Sequence, residues 1–385
     1  MENFIFQNPV KIIFGKDTIS KIQKEIPQDA RVLMIYGGGS IKRNGVYDAV
    51  QKALTNHKLF EFGGIEPNPE FSTCMKAVEL IKQENIDFLL AVGGGSVLDA
   101  TKFISASSKF EGDPYDILEK RSPIRKALPL GTVITLPATG SEMNSGGVIT
   151  RAEFQTKLVF GSPLLFPKFS VLNPETTYSL PKHQVANGVV DAFVHVMEQY
   201  LTYSTNAPVQ DRFAESLLLT LIEEGPKNIT AGEVNYDARA NLMWAATMAL
   251  NGLISSGVQS DWATHLIGHE LTAFHGLDHA VTLAIVLPEL LRKTKNKRKE
   301  KLLQFGSRVW NINHGTEEER MELTISKTED FFHSLGIKTK LSEYNISPDT
   351  IDRIVERFDS RGMKAIGGLQ DISLVDLKDI LNACI

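Results

Sequence analysis

The chain has 385 residues, 42% of them hydrophobic and 23% charged, and a formal net charge of −5. That is ordinary globular usage, long enough for about two domains and for a core that needs no disulfide or metal staple. It excludes a disordered, collagenous or coiled-coil chain, and the acidic balance argues against a dedicated nucleic-acid binder.

The start, Met1 to Gln7, lacks a charged leader followed by a long apolar core, so no signal peptide is expected. No run of about 18 apolar residues occurs, so no membrane-spanning helix is expected. Phe4-Ile5-Phe6 and Val10 to Phe14 read as edge strands able to pair across a dimer. Arg31–Tyr36 is a short apolar run ending in Gly37-Gly38-Gly39-Ser40, and Asp87–Val92 ends in Gly93-Gly94-Gly95-Ser96. Leu130–Leu136 is closed by Pro137, and Phe169–Leu172 precedes Asn173-Pro174. Between them lie helical stretches such as Phe71–Glu84, where Met75, Val78 and Ile81 are three apart. This alternation predicts an α/β domain with a parallel sheet over residues 1–180. Thr176 to Pro181 reads as the hinge. Beyond it β-branched runs are few, and Ala214–Glu224, Ala238–Leu253, Asp330–Leu335 and Leu374–Ala383 have helical spacing. Residues 181–385 are therefore expected to form an all-helical domain. Arg292 to Lys301, with seven bases and one acid, reads as a solvated surface turn. Cys74 and Cys384 form no CxxC pair, which suits a reducing compartment and a cytoplasmic protein.

Two segments carry chemistry. A glycine loop between a strand and a helix lets backbone approach a phosphate, and the helix N–H groups then face the anion. Gly93 to Ser96 has that form without being GxGxxG or a P-loop. Thr135 to Gly146 is rich in hydroxyls and amides suited to a ribose, a pyrophosphate or a carboxamide. The second segment is a cluster of histidines. His265, His269, His275 and His279 fall within 15 residues; His265 and His269 are spaced i, i+4, and Gly276 offers a break that turns His279 back. Upstream, Asp191 and His195 are also i, i+4 in an apolar stretch, where a carboxylate is costly unless paired or metal-bound. Aspartate with imidazoles suits Fe²⁺ or Zn²⁺ better than Ca²⁺ or Mg²⁺. HExxH is absent, and Glu270 should point away from the histidine face.

Together these segments resemble the iron-containing (group III) alcohol dehydrogenases, within them the NADPH-dependent butanol dehydrogenase and broad-range aldehyde reductase branch. Asn3–Gly15, Gly37–Gly45, Glu66-Pro67-Asn68-Pro69, Gly93–Lys102, Thr135–Glu142, Gln184–Glu198 and Asp261–Ala280 carry the likeness over nearly the whole chain. The resemblance implies a Rossmann-like dinucleotide-binding domain followed by a helical metal-binding domain. It implies one divalent metal, zinc or iron, held by Asp191, His195, His265 and His279, with His269 near it without being a ligand; relay of a proton through water is the role expected of His269. It places the pyrophosphate at Gly94, Gly95 and Ser96, with Asp99 near the nicotinamide end. Thr135, Thr139, Ser141, Asn144, Gly146 and Lys157 fall in its second set of cofactor contacts, with Asn68, Tyr178 and Leu180. NAD-using relatives commonly have Asp where this chain has Gly38. Gly37, Gly38, Gly39 and Ser40, with Lys42 and Arg43 close by, therefore suit the 2′-phosphate of NADPH. The implied activity is reversible reduction of aldehydes to primary alcohols, with hydride transfer to a metal-polarised carbonyl, in a homodimer without nucleic-acid or membrane partners. Two alternatives remain open: an NAD-using lyase resembling dehydroquinate synthase, and a metal-dependent hydrolase.

Overall fold

Apolar runs from the first half form a six-stranded, wholly parallel sheet in the computed structural model, which describes residues 1–230 and 234–385. In chain order the elements are β1 (Lys11–Phe14), β2 (Arg31–Tyr36), α1 (Val46–Ala53), β3 (Lys58–Phe62), α2 (Phe71–Glu84), β4 (Phe88–Gly94) and α3 (Gly95–Ser107). Then come α4 (Asp116–Glu119), β5 (Leu130–Leu136), β6 (Gly146–Arg151), β7 (Thr156–Gly161) and β8 (Phe169–Leu172). The spatial order is β1-β8-β5-β4-β2-β3. Successive strand residues point to opposite faces. Val32, Met34, Leu90 and Val92 join Val46 and Val50 of α1 on one face. Leu33, Ile35, Leu89 and Ala91 join Val78 and Ile81 of α2 and Phe103 of α3 on the other. Strands covered on both faces read as continuous apolar runs, which is why they were visible in the sequence.

Two expectations need correction. Phe4 to Phe6 is not a strand, and Ile5 is 97% exposed; Pro9 follows, and without an N–H it cannot extend a ladder. Only Lys11–Phe14 of that segment pairs, at the sheet edge. The polar loop after β5 runs on into an antiparallel hairpin of β6 and β7, which no alternating apolar pattern marks.

The second half contains α5 (Lys182–Tyr200), α6 (Pro208–Ile229), α7 (Tyr236–Ala249), α8 (Ala263–His275), α9 (His279–Thr294), α10 (Lys299–Arg308), α11 (Glu317–Ser334), α12 (Asp349–Ser360) and α13 (Leu374–Ala383). It is not wholly helical. β9 (Ala365–Ile366) and β10 (Ile372–Ser373) form a two-residue antiparallel ladder, too short to leave a periodic signal. The chain divides into two units. One is Gln7–Pro181 with Glu233–Asn251; the other is Met1–Phe6, Lys182–Gly232 and Gly252–Ile385. Helix α7 thus belongs to the sheet unit, where the Thr247 hydroxyl donates to the buried Glu142 carboxylate. In the helical unit, Leu271 of α8 and Ile285 of α9 share a core with Ile354 and Leu377 of α12 and α13.

The basic run Arg292 to Lys301 is not a solvated turn. Arg292 binds Glu289, Glu322 and Glu329 at 2.8–2.9 Å, and Lys301 reaches Asp211 at 2.5 Å. Arg298 is 1% exposed against Asp261 at 2.5 Å. The acids that neutralise these bases are mostly distant in sequence, so a local charge count misread them. Among the described residues, no helix is long and apolar enough to cross a membrane.

Candidate active site

Helix α5 supplies Asp191 and His195 one turn apart on the same buried face. His265 comes from the first turn of α8. That helix ends at Gly276, whose φ of +69° lies in the left-handed region that glycine adopts without strain, and His279 then opens α9. The three histidines converge on one oxygen. Asp191 Oδ1 lies 3.9 Å from His195 Nε2, 3.9 Å from His265 Nε2 and 3.8 Å from His279 Nε2. These separations are too long for hydrogen bonds. Asp191 is nevertheless 4% exposed, and its Oδ1 has no hydrogen-bond partner. A buried carboxylate oxygen in that state is costly unless a cation compensates it. Metal–ligand bonds of about 2.0–2.2 Å give tetrahedral edges of about 3.3–3.6 Å; the ligand atoms of Asp191, His195 and His265 all lie within 4.8 Å of one another, so a modest contraction around a divalent ion satisfies these three. The side chain of His279 is 23% exposed while Asp191, His195 and His265 are at 5–9%, so the His279 side is the open one. Catalytic sites keep such an opening.

Glu198, a helical turn beyond His195, was not singled out in the sequence. Its carboxylate accepts from the backbone N–H of Thr264 at 2.6 Å and of His265 at 3.1 Å, and pairs with His265 Nδ1. Donation from Nδ1–H fixes the tautomer and leaves Nε2 for the metal. Burial pushes the Glu198 carboxyl up to about 7, against the pull of the two backbone donors. Glu198→Gln is expected to weaken metal binding about 10–100-fold, read as faster zinc release to a chromogenic chelator. Trp262, just before α8, has φ of +69°, rare for a bulky side chain. Its ring packs 5.2 Å from His265 and 6.1 Å from His195, so it walls one side of the histidine cluster. His269 stacks 5.0 Å from His279. His275 instead meets Thr350 Oγ1 at 2.6 Å, away from the cluster, and Glu270 pairs with Arg357 and Arg361.

In the sheet unit, α3 begins at Gly95 immediately after β4, with its first N–H groups at the carboxyl end of the sheet. A Cβ on Gly95 would fall 2.4 Å from Thr139 Oγ1, so this glycine lets the two predicted cofactor loops touch. Ser96 donates to the Pro67 carbonyl beside Asn68, and Lys157 Nζ reaches Asn68 Oδ1 at 3.2 Å. Ser179, between Tyr178 and Leu180, accepts from Asn44 of the Gly37–Asn44 loop at 3.1 Å. Thr135 is buried at the end of β5. Asp99 accepts from Ser141 Oγ at 2.7 Å and from the Val148 N–H at 2.9 Å, so both its oxygens serve the fold. Lys102, absent from the sequence-based site, is fully buried and donates to Ser141 Oγ, Asn144 Oδ1 and the Gly146 carbonyl, each at 2.8 Å. Burial holds its ammonium down at about 8 and pushes the Asp99 carboxyl up. The i, i+3 spacing of Lys102 from Asp99 on α3 was the available signal.

A family model described as iron-containing alcohol dehydrogenase matches residues 9–174, and one described as the C-terminal part of the Fe-containing alcohol dehydrogenase family matches residues 185–382. The chain is 53% identical over 377 residues to the NADPH-dependent aldehyde reductase YqhD of Escherichia coli K12, with 97% of each chain covered. It is 44% identical over 388 residues to a probable NADH-dependent butanol dehydrogenase 1 of Bacillus subtilis 168, with 100% of each covered. A crystal structure of Escherichia coli K-12 YqhD superposes with a TM-score of 0.98 at 51% identity, covering 100% of this chain and 99% of that one.

Proposed function

The chain belongs to the iron-containing alcohol dehydrogenase family, and from that membership we propose how its own residues perform the family's chemistry. It is an NADPH-dependent aldehyde reductase, acting reversibly as an alcohol dehydrogenase: aldehyde + NADPH + H⁺ ⇌ primary alcohol + NADP⁺. The observation that carries this reading is the convergence of three imidazole nitrogens on the unsatisfied Asp191 oxygen, in a chain that also has a glycine loop at a helix N-terminus. A zinc or iron ion held there supplies Lewis-acid polarisation of a carbonyl, and the nicotinamide supplies the hydride.

The chain's own residues do the rest. Asp191 contributes the one negative charge of the set, which leaves the centre net positive where negative charge develops on the substrate oxygen. Glu198 and Trp262 hold the His265 ring in place. A ring nitrogen of His269, beside His279, passes a proton to the product oxygen. The α3 N-terminus receives the pyrophosphate between Gly94, Gly95 and Ser96. Asp99 and Lys102 hold the loop bearing Ser141, Asn144 and Gly146 against it. Gly38 presents no carboxylate to a 2′-phosphate. The protein works as a homodimer joined along the β1 edge, in a reducing cytoplasm that suits its two unbridged, buried cysteines.

The alternatives fit less well. A lyase of the dehydroquinate synthase kind needs several bases at the metal, but Arg357 and Arg361, facing α8, are bound to Glu270. A hydrolase would show no nicotinamide dependence and leaves the glycine loop at the α3 N-terminus without a role. The test is absorbance at 340 nm with butanal, comparing NADPH with NADH. Aldehyde-dependent oxidation favouring NADPH is expected; its absence with both cofactors ends the reading.

A further inference from the structure

Strands β2 and β4 are neighbours, with Tyr36 opposite Val92, so the Gly37–Ser40 and Gly93–Ser96 loops leave the sheet side by side. A Cβ on Gly37 would lie 3.6 Å from Val97 of α3. Where a pyrophosphate sits on one strand-to-helix turn of such a sheet, the ribose lies over the end of the adjacent strand, and the charge there selects NAD or NADP. Gly38 occupies that place, and the charged groups around it belong to a compact network. Lys42 follows on the 3₁₀ turn Ser40–Lys42. Its ammonium lies 4.6 Å over the Tyr47 ring and 5.0 Å over the Tyr36 ring, and reaches Glu61 of β3 at 3.4 Å. The Glu61 carboxylate also accepts from Tyr36 at 3.2 Å, from Gln51 at 2.9 Å and from Tyr47. Burial pushes that carboxyl up, but the hydrogen bonds from Tyr47, Lys42 and Tyr36 outweigh it, so Glu61 is ionised at neutral pH.

We propose that Lys42 is the cation that reads the 2′-phosphate and that Glu61 limits how strongly it does so. The two tyrosine rings and Glu61 hold the long Lys42 side chain in one place beside the loop, so little rotamer freedom remains to be lost when a phosphate arrives. The Glu61 charge, on the same ammonium, opposes the incoming dianion and keeps discrimination moderate. A surface network that only ties β3 to α1 would also explain the contacts, but it would leave cofactor choice untouched. The inference rests on the NADPH reading above.

The test compares kcat/KM for NADPH and NADH at saturating butanal in the wild type, Lys42→Met, Glu61→Gln and Arg43→Met. Glu61→Gln removes the charge and keeps one carbonyl acceptor for Lys42, at the cost of an acceptor on the Tyr47 and Gln51 side. Lys42→Met is expected to lower the NADPH/NADH ratio roughly tenfold, through KM for NADPH. Glu61→Gln is expected to raise the ratio about threefold at low salt, with the gain shrinking at high salt. Wild-type preference for NADPH that survives unchanged in Lys42→Met, or that is lost in Arg43→Met instead, overturns this proposal alone. An equal loss with both cofactors in Lys42→Met, with kcat falling, also overturns it by indicating a structural role. A wild type without preference overturns the NADPH reading and this proposal together.

Discussion

Asp191→Ala is expected to abolish metal retention and lower aldehyde reduction by roughly a thousandfold or more, since the Lewis acid supplies several kcal/mol of stabilisation for the developing charge. The fold should survive. The deleted carboxylate is buried and its Oδ1 accepts no hydrogen bond, so its loss removes a desolvated charge rather than a partner. The melting temperature of the metal-free variant should therefore equal or exceed that of the metal-free wild type. Metal analysis by mass spectrometry, activity and a thermal melt check the three parts. His275→Ala is the matched control: its imidazole meets Thr350, so metal content should be unaltered. Asp191→Ala retaining one tightly held ion per chain would remove Asp191 from the ligand set.

Lys102→Met should have the largest effect on stability. The ammonium is fully buried and makes three hydrogen bonds of 2.8 Å into one loop. It is also the cation that offsets Asp99 and Glu142, whose carboxyls burial pushes up. Deleting one partner of a buried charged cluster costs about 3–5 kcal/mol, much of it from the groups left behind. For a unit of this size that is a fall of about 10 °C in melting temperature. The loop that carries Ser141, Asn144 and Gly146 should loosen with it, so NADPH should bind more weakly while metal content stays at the wild-type level. A melt within about 2 °C of the wild type would show that Lys102 does not hold the loop.

Much of the sheet was legible because its chemistry is local. A strand buried on both faces must be apolar at consecutive positions, so Arg31–Tyr36, Leu130–Leu136 and Phe169–Leu172 showed their own limits. The helix Phe71–Glu84 was legible for a similar reason, with Val78 and Ile81 on its buried face and Asn85 in a left-handed cap. The i, i+4 spacings placed Asp191 with His195, and Gly276 announced the turn that brings His279 round.

What stayed hidden depends on partners far along the chain. Nothing near Glu198 says that it reaches Thr264 and His265, because those residues lie on α8, more than sixty positions away. Nothing near Lys102 on α3 says that its ammonium reaches Ser141, Asn144 and Gly146, because that loop lies about forty positions further along the chain. Arg298 read as part of a surface charge run, whereas Asp261 draws it inside. Trp262 gave no sign of its left-handed backbone, since local preference disfavours that state and tertiary packing imposes it. α7 reads as one more helix of the second half, but Met243 packs in the sheet core, Trp244 meets Phe14 and Thr247 meets Glu142, which tie it to the sheet unit.

The most direct measurement of metal dependence is butanal-dependent NADPH oxidation at 340 nm on protein stripped by a strong chelator, followed by titration with Zn²⁺ or Fe²⁺. Circular dichroism would confirm that the stripped chain is folded. The predicted result is a stripped protein without activity, restored as metal approaches one ion per chain. A folded, metal-free protein that reduces butanal at the full rate would contradict the reading of Asp191, His195, His265 and His279 as the catalytic centre.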